Sequence, residues 1–151
     1  MALKEYKKKR NLKKSGEPES NKLLKKSSKK IFVIHEHHAS HLHWDLRLEM
    51  NGVLKSWAVP KEPPMTKSEK RLAIQVEDHP LSYANFQGII PEGNYGAGKV
   101  KIWDHGTYEL LKKSEKEIEV EFHGKKLKGK YALVKTHYGN KPEKSWLFMK
   151  L

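Results

Sequence analysis

The chain has 151 residues, a formal net charge of +13, nine histidines and no cysteine. That length fits one domain with a real hydrophobic core, and the lack of cysteine excludes disulfides, cysteine-ligated zinc and a thiol nucleophile. No apolar run is long enough for a membrane span or a signal peptide, so a soluble, cytoplasmic protein without a membrane partner is expected.

The charge is uneven along the chain. Residues 1–30 hold 12 Lys+Arg and 3 Asp+Glu, a net +9, whereas the remaining 121 residues hold 19 and 15, a net +4. Residues 1–30 therefore read as a basic, partly flexible N-terminal arm, and residues 31–151 as the folded domain. Leu3 to Leu12 predicts a short basic helix, and Ser15-Gly16-Glu17-Pro18 ends it. Such an arm attracts polyanions, and nucleic acid bound to it releases counterions. The alternative is a solvated tail that only aids solubility.

From Ile31 the pattern turns strand-like. Ile31 to Ile34 is β-branched and aromatic, and the histidine-rich run after it reads as a loop. Leu42, Trp44, Leu46, Leu48 and Met50 alternate with His43, Asp45, Arg47 and Glu49, which predicts a half-buried strand. Asn51-Gly52 predicts a tight hairpin turn into a strand over Val53 to Val59. Prolines then mark 61–70 as loop, Arg71 to Val76 is a strand, and 79–98 is a long structured loop rich in Gly and Pro. Lys99 to Trp103 and Thr107 to Leu111 are expected to pair across Asp104-His105-Gly106. Ile118 to Phe122 pairs with Tyr131 to Thr136, and Trp146 to Lys150 is a final strand. Many short strands and little helical periodicity predict a mostly β fold, an antiparallel barrel or sandwich. The four tryptophans fall in strand-like runs and are expected in the core, not as base-stacking platforms.

The chemistry concentrates at His35-Glu36-His37-His38-Ala39-Ser40-His41-Leu42-His43-Trp44-Asp45-Leu46-Arg47. In a strand, His43, Asp45 and Arg47 share one face while the apolar residues anchor the other. Two imidazoles and a carboxylate suit a divalent transition metal such as Mn²⁺ or Zn²⁺, with positions left for substrate oxygens. Arg47, one pleat along, offers a planar donor fork to a phosphate. The alternative is a solvated histidine loop beside an Asp45–Arg47 surface pair. His79, next to Pro80, reads as an acid, a phosphate ligand, a metal-proximal donor or an ordinary loop histidine. Tyr83 reads as a hydroxyl donor or a core tyrosine. The run Gly88 to Gly98 suggests a phosphate cradle but lacks the Lys-Ser/Thr ending of a P-loop, so tight turns supporting the site are expected instead.

Taken together, these residues resemble the 3′-phosphoesterase domain family of bacterial DNA ligase D, in its free-standing form. The resemblance rests on His37-X5-His43-X-Asp45-X-Arg47-Leu48-Glu49, on Gly52 through Lys61, on Arg71-Leu72-Ala73, on Val76 through Leu81 with Tyr83, and on Gly88 through Gly98 with Trp103-Asp104. It implies a compact antiparallel β-barrel that removes 3′-terminal ribonucleosides and 3′-phosphates with Mn²⁺ (Zn²⁺ or Co²⁺ being other transition metals of the same type) and leaves a 3′-OH. It implies His37, His43 and Asp45 as metal ligands, and Arg47, His79 and Tyr83 around the scissile phosphate. Lys61 and Arg71 become further basic active-site residues, and Arg10 and Glu17 accessory groups in the arm. DNA or RNA 3′ ends at primer–template junctions are the implied substrates, with a separate ligase and polymerase as partners in trans. Two positions depart from the family pattern: Asn11 stands where an Asp is common, and His35 where a Gln is common, so His35 is expected as an accessory residue that tunes the site or adds a contact. A second reading, a non-catalytic module that binds nucleic-acid ends, fits the basic arm equally well.

Overall fold

The computed structural model describes residues 29–91, 93, 97–137 and 142–151. Arg10, Asn11, Glu17 and the predicted arm helix lie outside the described residues. Nine strands occur among those described: β1 (Lys29–His38), β2 (Leu42–Met50), β3 (Val53–Val59), β4 (Lys70–Pro80), β5 (Gly88–Ile90), β6 (Gly98–Lys113), β7 (Glu117–Gly124), β8 (Lys128–Lys135) and β9 (Ser145–Lys150). All neighbours are antiparallel, in the order β1-β2-β3-β4-β9-β8-β7-β6, and β6 pairs back onto β1. Eight strands thus close into a barrel, which leaves no ladder edge unpaired within it. β5 lies outside and pairs with β6. No helix among the described residues is long and apolar enough to cross a membrane.

The alternation read in the sequence fills the barrel. Phe32, Ile34, Leu46, Leu48, Trp57, Tyr108, Phe122, Tyr131 and Phe148 form one buried cluster. Each such side chain, removed from water, contributes about 1.5–3 kcal/mol. Phe122 is the hub, with ring centroids 4.6 Å from Phe32 and 5.1 Å from Tyr131. The two buried phenols find carbonyl acceptors: Tyr108 donates to Glu49 at 2.6 Å and Tyr131 to Pro64 at 2.8 Å. Trp57 and Trp146 are core, and Trp44 and Trp103 pack against it, as their strand positions predicted.

The Asn51-Gly52 turn has both residues in the left-handed region, φ 53° and 82°. That geometry matches the twist of a tight hairpin. It sets Met50 opposite Val53 and therefore Arg47 opposite Ser56.

Four strands depart from the sequence expectation, the shortest being β5, which lies inside the stretch 79–98 read as loop. β1 continues through His38, so His35 and His37 stand on a strand and not in a loop. β4 runs to Pro80 and carries His79 at its end. Lys99 to Leu111 does not fold back at Asp104-His105-Gly106 but forms one sixteen-residue strand, β6. Gly106 is a close-approach residue there, because a Cβ would lie 2.4 Å from the His123 carbonyl oxygen. Asp104 points its carboxylate at the β7–β8 turn, accepting from the backbone N–H groups of Lys125, Lys126 and Leu127.

A second, smaller apolar cluster lies on the outer face of the sheet. Val33 of β1 and Leu54 of β3 meet Leu81 and Ala84, with Tyr83 and Ile102 packed alongside. Leu81 and Ala84 belong to a single 3₁₀ turn, Leu81–Asn85, which follows β4 directly. This cluster seats the turn on the barrel wall, and the candidate site forms beneath it.

Candidate active site

Residues directly opposite in an antiparallel pair share a face. His37 faces His43, His35 faces Asp45 and Val33 faces Arg47 across β1–β2. Arg47 faces Ser56 and Asp45 faces Ala58 across β2–β3. Leu54 faces His79 across β3–β4. β1, β2 and β4, with β3 between the last two, therefore place His37, His43, Asp45, Arg47 and His79 on one outer face. Together with Tyr83, Glu77, Ile90 and Ala97 they line a cleft of about 570 Å³.

β2 is not half-exposed as its alternation suggested. Asp45 and Arg47 retain only 6% and 4% of their accessible surface. Apart from Leu42, which is exposed at its start, the apolar residues of β2 face the core; Tyr83 lies over Arg47, and His37 and His43 flank Asp45, so the Asp45–Arg47 pair is buried and not a surface pair.

One end of the cleft is a ligand trio. Ligand atoms from His37, His43 and Asp45 all lie within 4.8 Å of one another. His43 Nε2 is 3.2 Å from Asp45 Oδ1, and His37 Nδ1 is 3.6 Å from Oδ2. His43 Nδ1 donates to the His41 carbonyl at 3.1 Å, which leaves Nε2 as the atom turned to the carboxylate. A ring held in this way by a backbone acceptor is how metal-binding histidines are oriented. Burial opposes ionisation of Asp45, yet hydrogen bonds from His37 and His43 and the charge of Arg47 hold its carboxyl well below the usual range. The hydrogen bond to Asp45 also raises His43, against the effect of burial. A proton shared between imidazole and carboxylate marks a place where a divalent cation can substitute for it. Two imidazoles and one carboxylate on rigid strands are a donor set that fits a transition metal.

The other end is built around Arg47. Its Nε donates to His35 Nδ1 at 3.1 Å, Nη1 to Ser56 Oγ at 2.9 Å, and Nη2 to Asp45 Oδ2 at 3.3 Å. The Tyr83 ring covers the guanidinium, 4.9 Å from its central carbon. His79 Nδ1 lies 3.1 Å from both Arg47 Nη1 and the Glu77 carbonyl. It accepts from Arg47 or donates to the carbonyl, and the two arrangements exclude each other. Burial, then the Arg47 charge, lowers the pKa of His79. Burial, then the same charge, takes His35 down to about 4.

The remaining predicted site residues divide. His35 is fully buried directly behind Arg47. Lys61 is exposed beyond the end of β3. Arg71 donates to the Glu62 carbonyl at 2.7 Å and pairs with Glu69 at 3.0 Å. Neither Lys61 nor Arg71 lines the cleft. Sequence reasoning missed Ser56 and Glu77. Ser56 was within reach of it, because counting back from the Asn51-Gly52 turn puts residue 56 opposite Arg47.

The sequence profile of the DNA ligase D 3′-phosphoesterase domain matches residues 35–135. The chain is 46% identical over 153 residues to the multifunctional non-homologous end joining protein LigD of Mycolicibacterium smegmatis, covering 94% of this chain and 19% of that protein. The Pseudomonas aeruginosa protein of the same name is 43% identical over 154 residues, covering 98% and 18%. The Mycobacterium tuberculosis LigD repair protein is 48% identical over 139 residues, covering 89% and 18%. The chain thus spans less than a fifth of the length of these curated relatives. The profile match runs from the first buried histidine of β1 to the end of β8 and takes in every residue described in the cleft. The chain belongs to the DNA ligase D 3′-phosphoesterase domain family.

Proposed function

We propose that this protein is a Mn²⁺-dependent phosphoesterase that trims nucleic-acid 3′ ends, removing terminal ribonucleosides and 3′-phosphates to leave a 3′-OH for repair and ligation. The observation that carries this reading is the His37–His43–Asp45 trio lying beside the buried Arg47 and the half-buried His79 in one cleft. When bound, the metal supplies Lewis-acid charge to a phosphate oxygen. His37, His43 and Asp45 would hold it, and imidazole with carboxylate suits Mn²⁺, with Co²⁺ or Zn²⁺ as alternatives.

The chain's own groups do the rest. Arg47 offers a phosphate oxygen the Nη1 proton that it shares with His79, and its charge stabilises negative charge building on the phosphoryl group. Once Arg47 turns to the phosphate, His79 Nδ1 donates to the Glu77 carbonyl. A ring that has also taken up a proton at Nε2 is the imidazolium, which gives that proton to the leaving oxygen and returns to the neutral Nδ1–H form. Tyr83 covers the guanidinium and, with Ile90 and Ala97, limits water on that side of the cleft. Lys61 and Arg71, outside the cleft, serve the flanking strand, and the basic arm holds DNA or RNA near a primer–template junction. A separate ligase and polymerase would take up the 3′-OH in trans.

The test is a 5′-labelled primer ending in a 3′-phosphate or a 3′-ribonucleotide, incubated with and without Mn²⁺. Wild type should release product only with the metal. His43→Ala should cut that rate by about 100-fold or more while its melting temperature stays close to wild type, because His43 lies at the cleft and not in the core. Salt-sensitive binding without product would favour the end-binding module instead.

A further inference from the structure

We infer that His35 is a positioning residue: it sets the plane of the Arg47 guanidinium and ties that plane to the turn that carries Tyr83. The inference rests on the phosphate-binding role proposed above for Arg47. His35 has no accessible surface, so it acts only through its neighbours. Its two ring nitrogens have one partner each. Nδ1 lies 3.1 Å from Arg47 Nε, and Nε2 lies 3.0 Å from the Phe86 carbonyl. Arg47 Nε has a proton and no lone pair to offer, and a carbonyl only accepts. The ring must therefore be neutral, with its proton on Nε2, and it joins two groups that never touch each other.

Each contact has a mechanical consequence. An arginine side chain reaches a phosphate through several rotatable bonds, so its fork is useful only when the plane is fixed. Ser56 and Asp45 hold the two Nη ends, and His35 takes the third edge. With Nε committed inward, the Nη edge is the one turned to the cleft and the metal trio. On its other side, His35 reaches the chain just after the 3₁₀ turn. The Phe86 N–H bonds back to the Tyr83 carbonyl at 3.0 Å, and the Tyr83 and Phe86 rings stack at 5.0 Å. Tyr83 meets the His35 ring edge-on at 5.3 Å. Fork and cover are thus held in register by one imidazole.

A glutamine side chain carries one acceptor and one donor group and can span the same two partners. Phenylalanine fills the space but bonds neither. His35→Phe should lower kcat for 3′-phosphate release by on the order of 10-fold to 100-fold with a much smaller change in KM. Inhibition by inorganic phosphate, which reads the Arg47 end without any base, should weaken in parallel. Mn²⁺ affinity should stay at the wild-type value, because all three ligands remain. His35→Gln should recover most of both losses. In the wild-type protein, a two-bond ¹H–¹⁵N spectrum near neutral pH should give the neutral Nε2–H tautomer for His35, a readout independent of whether either variant folds. Wild-type kcat in folded His35→Phe, a His35→Gln as impaired as His35→Phe, or an Nδ1–H tautomer would each overturn the inference. Absence of metal-dependent product from wild type would instead overturn the phosphoesterase reading.

Discussion

A buried guanidinium costs several kcal/mol unless its donors find acceptors, and at Arg47 one acceptor is an imidazole that must stay neutral. That requirement makes stability depend on pH. Unfolded His35 binds a proton near pH 6.5, whereas in the fold burial and then Arg47 postpone binding to about 4. The stabilisation from neutral His35 is complete above pH 6.5 and is lost as pH falls toward 4, about 3 kcal/mol in all. His79, lowered by burial and Arg47, acts in the same direction. His43, raised by Asp45, acts oppositely: its contribution is full below 6.5 and fades as pH rises. Substituting His35→Gln removes the first effect and keeps the other two. In urea unfolding of metal-free protein, wild type should therefore lose about 2–3 kcal/mol more than His35→Gln between about pH 7 and pH 4.5, and parallel losses would contradict the assignment. At this scale the sequence was partly legible. His43, Asp45 and Arg47 were readable from period two alone. His35 was not, because its partners are an arginine twelve residues away and a carbonyl fifty-one residues away.

At the scale of elements, β6 teaches the most. Asp104-His105-Gly106 has turn chemistry by composition, yet the structure uses each end of that triplet for something else. Gly106 lets β7 approach, and Asp104, 3% exposed, accepts from the backbone of its own neighbour His105 and of three residues at the β7–β8 turn. Gly124 completes the clamp, since a Cβ there would lie 2.5 Å from Asp104 Oδ2 and 2.6 Å from Phe32. No local pattern reveals that an aspartate caps a turn some twenty residues away. By contrast, the β2–β3 hairpin was legible to the register, because Asn-Gly admits few turn geometries. Asp104→Ala would leave buried N–H groups without acceptors, at a cost of roughly 3 kcal/mol. Differential scanning calorimetry should find the melting temperature lowered by about 6–12 °C. Asp104 does not line the cleft, so Mn²⁺-stimulated cleavage at low temperature should persist. An unchanged melting temperature would mean that the turn holds without its carboxylate.

At the scale of the molecule, the question is whether the basic arm expected from the sequence acts apart from the closed barrel. β1, described from Lys29, is paired on both sides, with β2 and with β6, so the ladder of the barrel closes among the described residues. Residues 1–28 carry 10 Lys+Arg and 3 Asp+Glu, a net +7 of the chain's +13. If the arm acts through charge, its deletion should leave the melting temperature within about 2 °C of wild type and raise KM for an oligonucleotide by about 10-fold at low salt. The gap should close as salt rises, because releasing counterions into a more concentrated salt solution gains less free energy. Turnover of a nucleoside 3′-phosphate, which is too small to span arm and cleft, should be unchanged. Parallel loss of both activities would point the other way, to arm residues such as Arg10 and Glu17 reaching the reacting phosphate. The two outcomes separate an electrostatic funnel from a missing wall of the active site, and the small substrate decides between them because it has no flanking strand for the arm to hold.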